Sequence, residues 1–120
     1  LVSKQRWERY WALICCSSHG QAAACFADQA AQMIKTDPER MVRVRAAEFL
    51  GLIGKADPSR AILTALREAE SPEEANLILN TLVLLRDGQP GYAFRVTEAD
   101  VKYAKKRRSN VQRRLDYLLR

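Results

Sequence analysis

DPERMVRVRAAEFLGLIG, residues 37 to 54, and SPEEANLILNTLVLLRDG, residues 71 to 88, decide the fold, and they begin 34 residues apart. Each opens on a capping residue followed by proline, Asp37-Pro38 and Ser71-Pro72. Each closes on glycine, Gly54 and Gly88. Asp and Ser accept hydrogen bonds from the unpaired N–H groups of a first helical turn, and proline suits the first helical position. Ser71 with Glu74 fits a capping box. Glycine just past a helix takes the left-handed conformation that other residues resist. Each stretch is therefore predicted as one capped helix. A further step of 34 residues back brings SKQRWERYWALICCSSHG, residues 3 to 20, into phase, with Ser3 at its start and Gly20 at its end.

Two partner segments lie between these helices. QAAACFADQAAQMIKT, residues 21 to 36, carries Ala24, Ala27, Ala31 and Ile34 at helical spacing. DPSRAILTALREAE, residues 57 to 70, has its own Asp-Pro start and a stripe of Ile62, Leu63, Leu66 and Ala69. Helix, turn, helix, turn with short connections predicts an all-α protein. Its expected form is an α-solenoid of antiparallel helix pairs, a HEAT-like or armadillo-type superhelix, with about seven helices. The expectation is a single helical-repeat domain over residues 1 to 120. Its repeat helices are at about 3 to 20, 37 to 54 and 71 to 88, and a C-terminal strap and helices follow over 89 to 120. LILNTLVLL, residues 77 to 85, is apolar nearly all round, as for a helix covered on both sides. On the strap, Tyr92, Phe94 and Val96 alternate with Ala93 and Arg95, which reads as an extended segment packing its aromatics on helices. Thr97 with Asp100 can cap a short helix to about residue 107, and VQRRLDYLLR reads as a last one.

A chain of 120 residues is long enough for a real hydrophobic core. No apolar run reaches the length of a membrane span, and no basic region followed by an apolar one marks a secretion signal. The chain opens on Leu1 and reads as a piece of a longer protein. Its formal charge of +6 is not spread over the surface. Residues 102 to 120 hold eight Lys or Arg against one acid, and the remainder is near neutral. Three cysteines are too few for a disulfide scaffold.

DPERMVRVRAAEFLGLIG resembles the second helix of a HEAT-type repeat through its Asp-Pro, its Val-Arg and its Ala-Ala before Leu-Gly. In the copy from Ser71, Leu77 stands where Arg43 would be expected, and Asn80-Thr81 replaces the alanine pair. RWERYWALICCSS, VRVRAAEFLGLIG, EANLILNTLVLLRDGQPGYAF and NVQRRLDYL, in that order, resemble the C-terminal region of bacterial arylsulfatase-like sulfatases. The resemblance implies a parent that hydrolyses sulfuric esters with a formylglycine and a calcium ion in a preceding α/β catalytic domain. It implies a periplasmic or secreted location if that parent is exported. The formylglycine motif is absent here. Cys15 is followed by Cys16-Ser17-Ser18-His19, and Cys25 by Phe26-Ala27-Asp28-Gln29. No catalytic, cofactor-binding or metal residue of the family carries over.

The remaining groups each have a structural and a functional reading. Cys15, Cys16 and His19 sit in the last turn of a repeat helix, where adjacent cysteines diverge by about 100° and a thiolate is disfavoured by the helix dipole. Packing is the expectation, and a disulfide between Cys16 and Cys25 across the turn at Gly20 is the alternative. Trp7, Tyr10 and Trp11 lie one helical turn apart. They serve as repeat core or, with Tyr92 and Phe94, as an interface, because the helix that should pair with the first copy is missing. Arg43 and Arg45 are either anion contacts or partners in repeat-to-repeat ion pairs and turn hydrogen bonds. Asn76 and Asn80 are expected to satisfy loop backbone. Lys105, Lys106, Arg107 and Arg108 offer charge to a sulfated polysaccharide, or form a solvated or interdomain face; without a stacking platform, nucleic acid is disfavoured. The expected role is a non-catalytic module packing against the upstream catalytic domain of its own chain. The alternatives are a free-standing protein–protein interaction scaffold and a polyanion binder.

Overall fold

The computed structural model describes residues 1, 3 to 88, 92, 95 to 101 and 110 to 119. In chain order the elements are α1 (Arg6–His19), a 3-10 helix (Gly20–Phe26), α2 (Ala27–Thr36), α3 (Arg40–Leu52), α4 (Ser59–Glu68), α5 (Pro72–Asp87), a 3-10 turn (Glu98–Asp100) and α6 (Asn110–Leu119). Among the described residues there is no strand, so the protein is all-helical. Among the described residues there are six α-helices, where about seven helices were expected. The short helix expected from Thr97 is described only as its first 3-10 turn, and residues 102 to 109 lie outside the described set. The sequence reads as one domain; the structure divides into two compact units, Leu1–Ala61 and Ile62–Arg120, with the boundary inside α4.

In the first unit α1 and α2 both pack on α3. Leu13 and Cys16 of α1, Ala30 and Met33 of α2, and Val42, Ala46, Phe49 and Leu50 of α3 form its core with Ala23 and Ile53. The segment expected as one helix over residues 21 to 36 is in two parts, because its first seven residues, counted from Gly20, wind as a 3-10 helix. Gly20 has φ 56° and Gly54 has φ 71°, both positive as glycine tolerates; with ψ −127°, Gly20 takes an extended positive-φ conformation rather than the left-handed helical one expected. A Cβ at either would meet nothing within 4 Å, so backbone conformation alone calls for glycine there. Gly88 departs from that pattern. Its φ is −86°, and a Cβ there would come within 2.9 Å of the Leu84 carbonyl oxygen, so crowding is what favours glycine.

The capping residues also divide. Ser71 is a true N-cap: its Oγ accepts from the Glu74 N–H at 3.1 Å, with Pro72 in the first turn. The Glu74 carboxylate accepts from the Glu70 N–H at 3.5 Å rather than from that of Ser71, so the capping box is not reciprocal. The other three sit further upstream. Ser3 accepts from the Gln5 N–H at 3.1 Å, Asp37 from that of Glu39 at 3.0 Å and Asp57 from that of Ser59 at 2.9 Å. These are side-chain turns spanning two residues, which aim the chain into the helix instead of closing its first turn. Accordingly α1 and α3 begin at Arg6 and Arg40, later than the expected starts.

In the second unit α5 packs on α6. Ile62, Ala65 and Leu66 of α4, Ile78, Leu79, Leu82 and Leu85 of α5, and Val111 and Leu115 of α6 are buried. The expectation that residues 77 to 85 are covered on both sides is corrected on one face, where Leu77 and Leu84, seven apart, are 40% and 49% exposed. The Tyr92 N–H reaches back to the Leu85 carbonyl at 3.0 Å, and Val96 is buried.

Candidate interaction surface

Trp7, Tyr10 and Trp11 are brought together on α1; the two indoles are exposed, whereas Tyr10 packs against the core of the first unit. Leu13 and Cys16 face inward, so the two indoles project from the far side of the helix, each 59% exposed. Tyr10 stands edge-on between them, half-buried. Its ring centre is 5.8 Å from that of Trp7 and 5.4 Å from that of Trp11, with interplanar angles of 82° and 88°. This is the favourable edge-to-face arrangement of aromatic quadrupoles. Arg6 lies 5.2 Å from the Trp7 ring centre and 3.8 Å from the Glu39 carboxylate.

The arginines expected as anion contacts are committed internally. Arg43 donates from Nη1 to the Asp37 carbonyl at 2.7 Å, a turn hydrogen bond. Arg45 donates to Glu48 Oε2 at 2.7 Å and to the Tyr10 hydroxyl at 3.0 Å. Burial works against its charge, but the neighbouring Glu48 carboxylate and the Tyr10 hydroxyl outweigh it, and the guanidinium pKa is raised. Arg43 thus makes a turn hydrogen bond, and the Arg45 ion pair lies within α3 rather than between repeats.

Sequence reasoning passed over Arg9. Its Nε and Nη2 grip the Asp37 carboxylate at 2.8 and 3.2 Å, and its Nη1 donates to the Ser3 carbonyl at 3.1 Å. The signal was present: Arg9 and Arg43 are 34 apart, and each donates to the carbonyl of the residue six before it. In the copy from Ser71 the equivalent position is Leu77, one of the two exposed leucines of α5. No family model, curated protein or solved structure matches the chain.

Of the other candidates, Cys15, Cys16 and Cys25 are free thiols. The alternative reading, a disulfide between Cys16 and Cys25, is not formed. The chain leaves Gly20 as a 3-10 helix rather than an antiparallel α-helix, Cys16 points into the core, and Cys25 is exposed. Burial pushes the Cys16 thiol pKa up. Among the described residues no group of three or more His, Cys, Asp or Glu is placed to hold a metal ion. None of the described helices is long and apolar enough to cross a membrane. Tyr92 is half-buried. Phe94, Lys105, Lys106, Arg107 and Arg108 lie outside the described residues.

Asn80, expected to satisfy a loop, instead accepts from Arg114 of α6. The Arg86 guanidinium donates to the carbonyls of Tyr117 and Leu118, each at 3.2 Å, and stacks 4.6 Å from the Tyr117 ring centre. The Tyr117 hydroxyl donates to Asp87 at 2.7 Å. These contacts fasten α6 to α5. They use Arg86 of α5 and, of the C-terminal charges, Arg114 for cohesion between the two helices.

Proposed function

We propose that this chain is a non-catalytic helical-repeat module, an α-solenoid of helix pairs, that packs against a neighbouring domain through Trp7, Tyr10 and Trp11. The observation that carries the reading is the pair of indoles, 59% exposed, on a helix whose opposite side is fully packed. Two Trp residues concentrated on one open face have the composition of interface anchors. The repeat phase supports it. Trp11 is 34 residues before Arg45, and Arg45 is one of the residues by which α3 reaches back to α1. Trp11 thus occupies the position from which a repeat helix meets whatever precedes it. The paired carbonyl contacts of Arg9 and Arg43 support the repeat itself.

The neighbour that fits the resemblance is a sulfatase catalytic domain in the same polypeptide. The sulfuric ester hydrolysis, with its calcium ion and formylglycine, belongs to that domain and uses no residue of this module. The test compares acrylamide quenching of the indoles in the isolated chain and in the full gene product that carries it. Protection in the full product is expected, together with hydrolysis of an aryl sulfate. Equal quenching in both refutes the packing reading. Capture of a separate protein on the indole face would favour a free-standing scaffold. Heparin retention with steep salt dependence would favour the polyanion reading.

A further inference from the structure

We infer that Arg45, on α3, is the positioning residue of the aromatic face on α1, fixing Tyr10 and through it the two indoles. The inference rests on the docking reading above and adds to it what gives the face its shape. The Arg45 side chain is only 13% exposed and touches neither indole by any hydrogen bond described above. It acts on Tyr10 in two ways: Nη2 donates to the hydroxyl at 3.0 Å, and the guanidinium carbon lies 5.2 Å from the ring centre. The guanidinium is itself oriented, because Nη1 is held by Glu48 Oε2 at 2.7 Å one turn further along α3. Glu48 is buried, so this brace does not wave in solvent.

A planar guanidinium can serve two acceptors in fixed directions; a lysine ammonium on its flexible stem cannot hold the same fork. The chain of constraint therefore runs Glu48, Arg45, Tyr10, and from the Tyr10 edges to Trp7 and Trp11 at 5.8 and 5.4 Å. An exposed indole ordinarily samples several rotamers and loses that freedom on binding. An indole already braced against a fixed tyrosine loses less, so the face is preorganised for docking.

The test uses the 120-residue chain with Arg45→Lys and with Tyr10→Phe. Both tryptophans are on α1, so indole emission reports this face alone. Nanosecond anisotropy should show the native indoles depolarising with overall tumbling, and near-UV circular dichroism should show a strong tryptophan band. Arg45→Lys keeps a cation beside Glu48 and should introduce fast depolarisation and loss of the near-UV band, with far-UV signal retained. Tyr10→Phe deletes only the hydroxyl and should act in the same direction with a smaller loss. Unchanged anisotropy and near-UV signal in both variants overturns the inference, as does fast depolarisation already present in the native chain. If Arg45→Lys does not fold, Tyr10→Phe decides alone. None of these readouts needs a partner, so failure of the docking reading, seen as equal quenching with and without the rest of the gene product, is a separate result.

Discussion

Arg9 and Asp37 join the start of α3 to α1, and their removal should unfold the first unit in a way that surface charges cannot. The Arg9 side chain is 12% exposed and that of Asp37 is 4% exposed. The hydrogen bond that Arg9 donates to the Asp37 carboxylate raises the Arg9 pKa, so the guanidinium stays charged. Arg9→Met would leave the Asp37 carboxylate buried without its cation, at a cost of about 3–5 kcal/mol. That is a third or more of a typical small-domain stability. Asp37→Asn keeps an oxygen for the Glu39 N–H but removes the charge facing Arg9, at about 1.5–3 kcal/mol. In the double variant neither charge remains, and the loss should fall short of the sum by about 2–3 kcal/mol. For a domain near this size, about 4 °C per kcal/mol puts the Arg9→Met midpoint lower by roughly 12–20 °C. The assay is urea and thermal unfolding of the four proteins followed by tryptophan emission. Buried pairs are little screened, so the coupling should survive high salt. A coupling energy within about 0.5 kcal/mol of zero would refute the argument, and would mean that Asp37 is served by its turn alone.

Other outcomes follow from local geometry. Ser71→Ala removes the side-chain cap at the start of α5 and should cost about 1 kcal/mol, read by thermal melting in the far-UV. Native protein should show two fast thiols toward a disulfide reagent, Cys15 and Cys25, and one slow thiol, Cys16; all three should react alike in urea. Asp100 holds Arg67 at 2.6 Å and the Thr97 N–H at 2.9 Å. Burial acts to raise its pKa, but these hydrogen bonds outweigh burial and lower it from the ordinary 3.8. A lowered folded pKa stabilises above the unfolded value and is lost as pH falls through the folded one. Thr97 amide protection from hydrogen exchange should therefore hold at neutral pH, persist through the ordinary carboxylate range, and be lost only as pH falls below 3.8. In Asp100→Asn that acid-side loss should be absent.

Much of the candidate surface was legible as residues and not as geometry. The spacing of Trp7, Tyr10 and Trp11 put three aromatics on one side of a helix, and the structure keeps them together. Whether that side faced a core or solvent depended on which neighbour arrived. Arg45 was legible as a charged residue on a repeat helix. Its partner, Tyr10, is 35 residues away, a separation at which sequence pattern carries no direction. LILNTLVLL shows the same limit from the other side. Its hydropathy is high all round, and Leu77 and Leu84 are nonetheless open, because apolar content does not supply a neighbour.

The sequence by itself determined what is local. Positive φ at Gly20 and Gly54 follows from steric freedom that only glycine has, and the Ser71 cap follows from a hydroxyl within reach of a free N–H three residues on. Helix positions followed too, because the 3.6-residue period is a property of the chain's own backbone. Tertiary structure decided everything that needed a second element. It turned Asp37 from an expected cap into an anchor for Arg9, turned Cys16 inward and Cys25 outward, and left two tryptophans exposed. The physical reason is the same in each case. A side chain's candidates for hydrogen bonding or packing are fixed by its chemistry, but the choice among them is made by whichever group the packed helices bring closest.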